Sequence, residues 1–163
     1  MKALSNEWER EVLSSVFFVE RNFQRLEEAF QRLGSVHYDS RINTENFPEW
    51  GQGVKKGSVA CLHFDGSFLK PKVSSGLVVR TIYRLSLRPA GIYELVALAF
   101  RIKNFDHCTF VAFGSYLIDK EGLKRVPSLS FNEKGKIFSL PLYHQMWESK
   151  NTVFLACFGK RPL

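Results

Sequence analysis

The sequence predicts an α+β fold in which one long N-terminal amphipathic helix packs on a curved antiparallel β-meander of about five to seven strands. Three observations predict it: helical spacing of apolar residues over 6–33, short β-rich runs after Gly57, and turn residues between those runs every 8 to 15 positions. A chain of 163 residues with 45% hydrophobic and 14% aromatic content is long and apolar enough for a single domain over 1–163.

The N-terminal segment has the spacing of an amphipathic helix over residues 6–33. Asn6 and Glu9 match a capping box, and Gly34 stands where a left-handed C-cap would end the helix. Apolar residues recur every three or four positions: Val12, Val16, Val19, Phe23, Leu26, Phe30 and Leu33. The stripe predicts packing on the protein's own sheet, and part of it is also a candidate homodimer contact through the N-terminal helix: Val19, Phe23, Leu26 and Phe30.

The rest of the chain is predicted to be a connecting loop over 35–57, followed by an antiparallel sheet over 58–158. Strands are expected near 58–64, 77–88, 92–103, 108–118, 126–131, 136–140 and 152–158. Hairpin loops are expected at 65–66, 88–91, 104–107, 119–122 and 132–135. Residues 141–151 predict a short helix before the last strand.

The formal charge of +7 is unevenly distributed along the chain. Residues 1–50 carry six Lys and Arg against nine Asp and Glu, whereas residues 51–163 carry seventeen against seven. This polarity predicts an acidic partner for the C-terminal two-thirds of the chain, which is a nucleic acid, an acidic protein surface or a phosphorylated ligand.

A register of the predicted hairpin around Ala90 and Gly91 would place the basic residues on one face of the sheet. Alternation then puts the apolar side chains of 77–88 and 92–103 on the other face. The predicted binding residues on the basic face are Arg80, Arg84, Arg88, Arg101 and Lys103, joined from the next strand by Phe110 and Tyr116.

The same predicted face has a floor of small residues, so something must approach the sheet closely there: Ala97, Ala99, Ala112 and Gly114. One interpretation is another element of the same chain, such as the N-terminal helix. The other is an extended or flat ligand, whose phosphates or carboxylates bind the arginines and whose rings stack on the two aromatic residues.

The cysteines and the apolar runs indicate a cytoplasmic protein. Cys61, Cys108 and Cys157 are widely spaced and include no CxxC pair, which is typical of reduced core thiols. The apolar runs are far shorter than the ~20 residues that span a bilayer. The N-terminus becomes polar before a signal-like segment can form, so we expect no membrane association.

No catalytic residue, metal site or cofactor is predicted, because GxGxxG, GxxxxGK[ST], HExxH and GxSxG are all absent. His63 and Asp65 would share one strand face, but a metal site generally needs three or four ligands. The segment 106–108 could contribute a cysteine and a histidine only if their partners meet in space. His144 and Glu148 form an i, i+4 pair in the predicted short helix.

These properties predict a non-enzymatic binding or regulatory module that holds an acidic macromolecular partner, nucleic acid or protein, on a basic sheet face. A small accessory or inhibitory protein of a phage or mobile element would fit this description. The alternative is a small-molecule-binding or enzymatic α+β domain with a pocket between helix and sheet. A deep cavity with convergent polar groups would favour that alternative.

Overall fold

The computed structural model describes residues 12–48, 56–64, 71–103 and 108–159. Within these ranges the chain forms a mixed β-sheet with helices on both faces. The elements in chain order are β1 (Leu13–Glu20), α1 (Leu26–Leu33), β2 (Val36–Tyr38), β3 (Lys56–His63), β4 (Lys72–Val73), α2 (Ser75–Arg84), β5 (Arg88–Pro89), α3 (Ile92–Arg101), β6 (Thr109–Val111), β7 (Leu117–Ile118), β8 (Lys124–Arg125), β9 (Ser128–Asn132), β10 (Gly135–Ser139), β11 (Trp147–Glu148) and β12 (Thr152–Cys157).

Eight of the described strands form the main sheet, in the order β1-β3-β12-β6-β9-β10-β2 with β5 added against β12. The pairs β12–β6 and β10–β2 are parallel, and the other pairs of this sheet are antiparallel. The last strand, β12, lies between β3 and β6, and all six of its residues are buried. The predicted antiparallel meander is therefore wrong, because the last strand of the chain is an interior strand of the sheet.

Alternation along the strands divides the core into two clusters, one on each face of the sheet. Cys61 of β3 and Leu155 of β12 pack on the side of α1 and α3. Leu62 and Phe154, their neighbours along the same strands, pack on the side of α2. Since both faces are covered there, the residues of β12 from 153 to 157 form a continuous apolar run instead of an alternating one.

The predicted long N-terminal helix is also wrong. Residues Leu13–Glu20 form β1, antiparallel to β3, and only Leu26–Leu33 is helical in the described part of this segment. The three- and four-residue spacing of apolar residues predicted a helix, but the same segment also fits the alternation of a strand. Phe17 and Val19 face the core, whereas Val16 and Phe18 are exposed. Valine and phenylalanine favour strands, so propensity and the alternating period agree here. The capping pattern at residues 6–9 lies outside the described residues.

Helix α2 replaces the strand predicted over 77–88. The hydroxyl oxygen of Ser74 caps the helix by accepting a hydrogen bond from the backbone N–H of Leu77 at 3.2 Å. Val78 and Ile82 are buried four residues apart, which is the helical period. The valines and the isoleucine of this segment favour a strand by propensity. The cap by Ser74 and the burial of Val78 and Ile82 stabilise a helix instead.

Helix α3 replaces the strand predicted over 92–103. The carboxylate of Glu94 accepts a hydrogen bond from the backbone N–H of Gly91 at 3.0 Å, which fixes the first turn. The predicted hairpin loop at 88–91 is therefore β5 followed by the start of a helix. Ala97 and Ala99 are buried in this helix, where small side chains let it approach the sheet closely.

Four of the predicted strands are confirmed, because 58–64, 126–131, 136–140 and 152–158 correspond to β3, β9, β10 and β12. The hairpin turns at 119–122 and 132–135 are confirmed as well. The strand predicted over 108–118 is interrupted after Val111, and 141–151 contains turns and β11 instead of a helix. The predicted loops at 65–66 and 104–107 lie outside the described residues.

The three cysteines are free thiols, with Cys61 and Cys157 buried and Cys108 partly buried. Burial raises the pKa of Cys61 to about 11 and that of Cys157 to about 12. Both thiols are therefore protonated at neutral pH and behave as small apolar side chains. Among the described residues, no helix has the length and apolar character needed to cross a membrane.

Candidate functional site

A polar pocket of about 610 Å³ lies on the α2 side of the sheet, over β12, β6, β9 and β10. Its floor consists of five side chains with hydroxyl groups: Thr109, Ser128, Ser130, Ser139 and Thr152. We call these five residues the hydroxyl floor.

The register of the sheet brings the hydroxyl floor together from four strands. Thr152 and Thr109 are neighbours in the parallel pair β12–β6, and Ser128 and Ser139 are neighbours in the antiparallel pair β9–β10. The residues between them point to the opposite face, where they pack with α1 and α3: Phe110, Leu129, Phe138 and Val153. The pleat of each strand therefore directs the hydroxyl-bearing side chains into the pocket.

None of the five hydroxyls has a hydrogen-bond partner within the described part of the chain. Ser128 is only 4% exposed and Thr152 only 6%. No side-chain nitrogen or oxygen of the described residues is both fully buried and without a partner. The oxygens of these two side chains must therefore keep contact with the space inside the pocket.

Two aspartate–arginine pairs place guanidinium groups on the pocket wall. Arg41 donates from Nε to Oδ1 of Asp39 at 3.0 Å and from Nη2 to Oδ2 at 2.7 Å. Arg125 donates from Nε to Oδ2 of Asp119 at 2.7 Å and from Nη1 to the carbonyl oxygen of Leu140 at 3.0 Å. The remaining group of each arginine, Nη1 of Arg41 and Nη2 of Arg125, makes no hydrogen bond within the described ranges.

The two pairs also influence each other electrostatically. The hydrogen bonds from Arg41 lower the pKa of Asp39, and the charge of Arg125 adds a smaller effect in the same direction. The backbone N–H of Leu123 and then the side chain of Arg125 lower the pKa of Asp119. Both carboxyls are therefore ionised at neutral pH. The charged residues that line the pocket then balance: Asp39 and Glu148 against Arg41 and Arg125.

The segment 140–151 supplies the remaining wall of the pocket. Trp147 is fixed there because its Nε1–H donates to Oγ of Ser75 at 2.8 Å and its strand β11 pairs with β4. Met146 is 53% exposed beside it. The other members of this wall combine amides, a carboxylate and apolar groups: Leu140, Pro141, Gln145, Glu148 and Asn151.

The basic residues predicted to share one face are separated in the structure. Arg80 and Arg84 are exposed on α2, whereas Arg101 on α3 and Lys103 just after it belong to the opposite side of the sheet. Arg88 lies in β5 and forms an ion pair with Glu94 at 2.6 Å. The predicted basic sheet face does not form, because its two central segments are helices.

The two predicted stacking residues are separated in the same way. Phe110 is 2% exposed and packs edge-to-face on Phe131, with 6.2 Å between the ring centroids. Tyr116 is 56% exposed, and its ring centroid lies 4.6 Å from Nζ of Lys124.

The residues predicted for self-association are all buried in the core on the α1 and α3 side of the sheet. One lies in β1 and three lie over residues 23–30: Val19, Phe23, Leu26 and Phe30. A homodimer stays a prediction, but these four side chains are not exposed to a second copy.

The residues considered for chemistry are scattered. His63 is partly buried in β3, whereas Asp65 and residues 106–107 lie outside the described ranges. His144 and Glu148 are exposed, in a turn and in β11, and burial raises the pKa of Cys108. No group of three His, Cys, Asp or Glu side chains with the arrangement of a metal site occurs among the described residues.

The hydroxyl floor was missed at the sequence level, although a signal for it exists. The segments TFV, SLSF, FSL and TVF, at 109–111, 128–131, 138–140 and 152–154, each alternate a hydroxyl residue with a core residue. The chain order does not show that these segments are neighbours, because β12 reaches its place beside β6 from the far end of the sequence.

Comparisons with protein-family models, with curated proteins and with solved structures find no match to this chain. A functional conclusion therefore depends on the chemistry of the pocket and of the surface.

Proposed function

We propose that the protein is a non-enzymatic binding module whose ligand is a polar molecule held over the hydroxyl floor. The observation that carries this proposal is the convergence, in one pocket, of five hydroxyls that have no hydrogen-bond partner among the described residues. A polar group that is largely removed from water without a partner costs free energy. Folding alone therefore gives no reason for a hydroxyl at nearly buried positions such as Ser128 and Thr152.

The size and rigidity of the pocket support the same proposal. The pocket is a cleft that is open to solvent on one side, and its volume of about 610 Å³ falls within the ~300–1,000 Å³ that is usual for small-molecule sites. Its walls are held by contacts within the chain: Arg41 by Asp39, Arg125 by Asp119, and Trp147 through Ser75. Side chains that are already ordered lose little entropy when a ligand binds.

A thermal-shift screen tests the proposal. The library would contain three classes of polar compound: neutral sugars and polyols, phosphates and carboxylates, and amines. A compound at about 100 times its dissociation constant stabilises the folded protein by about 2.7 kcal/mol, which raises Tm by several degrees. We expect at least one class to raise Tm of the wild type.

Two matched variants show whether such a shift depends on the pocket. Ser130→Leu places an apolar side chain on the hydroxyl floor, whereas Ser58→Leu makes the same change at a half-buried position of β3 outside the pocket. The shift should persist in Ser58→Leu and disappear in Ser130→Leu. If no compound raises the Tm of the wild type by more than it raises the Tm of Ser130→Leu, the pocket has no ligand among these classes and the proposal fails.

A second proposal is that an acidic macromolecule, nucleic acid or protein, binds the exposed face of α2. No acidic residue occurs between Asp65 and Glu94. Arg80 and Arg84 are exposed four residues apart on the same side of α2, and Lys72 is exposed just before the helix. The basic surface expected from the sequence is thus proposed here on a helix instead of a sheet.

Fluorescence anisotropy of labelled single- and double-stranded DNA and RNA at 50 and 200 mM salt tests this second proposal. Phosphate contacts release counterions, so binding should weaken steeply with salt. Arg80→Glu with Arg84→Glu should weaken binding much more than Arg101→Glu with Lys103→Glu, which changes charge equally on the other side of the sheet. Equal effects of the two pairs would exclude α2 as the site. No binding at 50 mM salt would restrict the proposal to acidic proteins, which a pull-down would then test.

A further inference from the structure

We infer that the ligand of the pocket is a neutral, hydroxyl-rich molecule of the carbohydrate class. This inference rests on the proposed pocket function and specifies the ligand for it.

The first argument is complementarity of hydrogen bonding. A serine or threonine hydroxyl offers one donor and two acceptor lone pairs and rotates to suit its partner. A sugar hydroxyl has the same capacity, so a layer of sugar hydroxyls can meet the hydroxyl floor with donors and acceptors in either order. The five floor oxygens have this capacity unused within the described part of the chain. A ligand with acceptors alone, such as a phosphate, would use only their donors.

The second argument is the balance of charge. Strong anion sites offer cationic groups that are free to pair with the ligand. Both guanidinium groups of the pocket are already bound to carboxylates, at 2.7 Å in each pair. Among the described residues that line the pocket there is no lysine and no histidine, and the charged side chains sum to zero. The attraction that would select an anion over a neutral molecule is therefore largely cancelled.

The third argument is the composition of the wall. The wall offers donors that suit ether and hydroxyl oxygens. These are the amides of Gln145 and Asn151 and the Nη groups of Arg41 and Arg125 that make no hydrogen bond within the described ranges, whose charge is compensated by the paired carboxylates. The exposed side chain of Met146 lies at the same wall and offers an apolar surface. A sugar has polar edges and apolar C–H faces, so it can use both kinds of surface.

An array of neutral, sialylated, sulfated and phosphorylated glycans, followed by calorimetry with the best neutral glycan, tests the inference. We expect neutral glycans to bind, with an affinity that is nearly unchanged between 50 and 500 mM NaCl. Ser130→Ala and Ser139→Ala should each weaken binding about fivefold, which is the loss of one net hydrogen bond. Because neither hydroxyl is bonded within the described chain, both variants should keep the Tm of the wild type.

The outcomes separate the ligand class from the pocket function. If neutral glycans fail to bind while an anion or an amine from the thermal-shift library binds in a way that Ser130→Leu abolishes, the carbohydrate inference is overturned and the pocket function stands. If no compound of any class binds the wild type, both are overturned. Glycan binding that Ser130→Leu leaves intact would place the sugar elsewhere and would also overturn the inference.

Discussion

The substitution Phe110→Ala tests the feature that most distinguishes this fold, the position of β12 beside β6. Phe110 is 2% exposed, and its register partners are Val153 on β12 and Leu129 on β9. Truncating a buried phenylalanine costs about 3–5 kcal/mol, out of the roughly 5–15 kcal/mol that stabilise a domain. At about 2–4 °C per kcal/mol for a chain of this size, Tm should fall by about 6–20 °C.

Urea denaturation followed by circular dichroism measures the loss, with Tyr116→Ala as the matched control. The Tyr116 ring is mostly exposed and its contact with Lys124 is worth about 0.5–1 kcal/mol. In the arrangement expected from the sequence, both rings would face a ligand and both truncations would cost equally little. If Phe110→Ala loses no more stability than Tyr116→Ala, β6 is not in the interior of the sheet and the fold described above is wrong.

Three further predictions concern local structure and are checked by urea denaturation. Glu94→Ala should lower the free energy of unfolding by about 1 kcal/mol more than Glu94→Gln does, because only the glutamine can still accept a hydrogen bond at the start of α3 and contact Arg88. Equal losses of stability in the two variants would contradict this role of Glu94. Gly135→Ala should destabilise by more than about 1 kcal/mol, because φ is 124° and the new Cβ would overlap the backbone that precedes β2; an unchanged urea midpoint would contradict it. Arg41 lowers the pKa of Asp39, so this carboxylate stabilises the fold above its unfolded pKa of about 3.9 and loses its effect as the pH falls through the lowered folded value. The difference in unfolding free energy between wild type and Asp39→Asn should thus be constant from pH 7 to 5 and shrink below about pH 4; a difference as large at pH 3 as at pH 7 would refute it.

The strands that the sequence predicted correctly are those with local signals. The hairpin β9–β10 has alternating residues on both sides of a turn that ends in Gly135, a residue with positive φ. Strand β12 is a run of six residues, all of them buried. In such segments the period, the propensity and the turn residues indicate the same structure, and none of them depends on a distant part of the chain.

Helices α2 and α3 were predicted as strands because strand propensity and helical period conflict in those segments. Residues 77–82 contain two valines and an isoleucine, whose branched side chains favour strands. Burial of Val78 and Ile82 against the sheet overrides this preference, because the tertiary contact is worth more than the small difference in propensity. In β1 the apolar residues fit a helical spacing as well as a strand alternation, and pairing with β3 together with the strand propensity of valine and phenylalanine decides for the strand.

The pocket required information that no local pattern contains. Each strand by itself shows only a hydroxyl residue next to a core residue, which is also typical of a solvent-facing position. The four segments become one site through the parallel pairing of β12 with β6 and the antiparallel pairings of β9. Strand order is set by the packing of both faces together, so a sequence reading that assigns a meander puts these residues in different places.

The boundary between core and pocket supports the proposal that the hydroxyl floor binds a ligand. Phe154 and Val111 are register partners and belong to the core on the α2 side, and the next residues on the same face of both strands are Thr152 and Thr109. On both neighbouring strands, the α2-side face thus changes from core residues to pocket residues at the same register position. A valine at position 152 would have nearly the shape of threonine and would extend the core without a hydroxyl to keep hydrated. Stability alone would favour that valine, so the threonine is better explained by a ligand that binds its hydroxyl, in the way that binding sites commonly retain residues that are not optimal for stability.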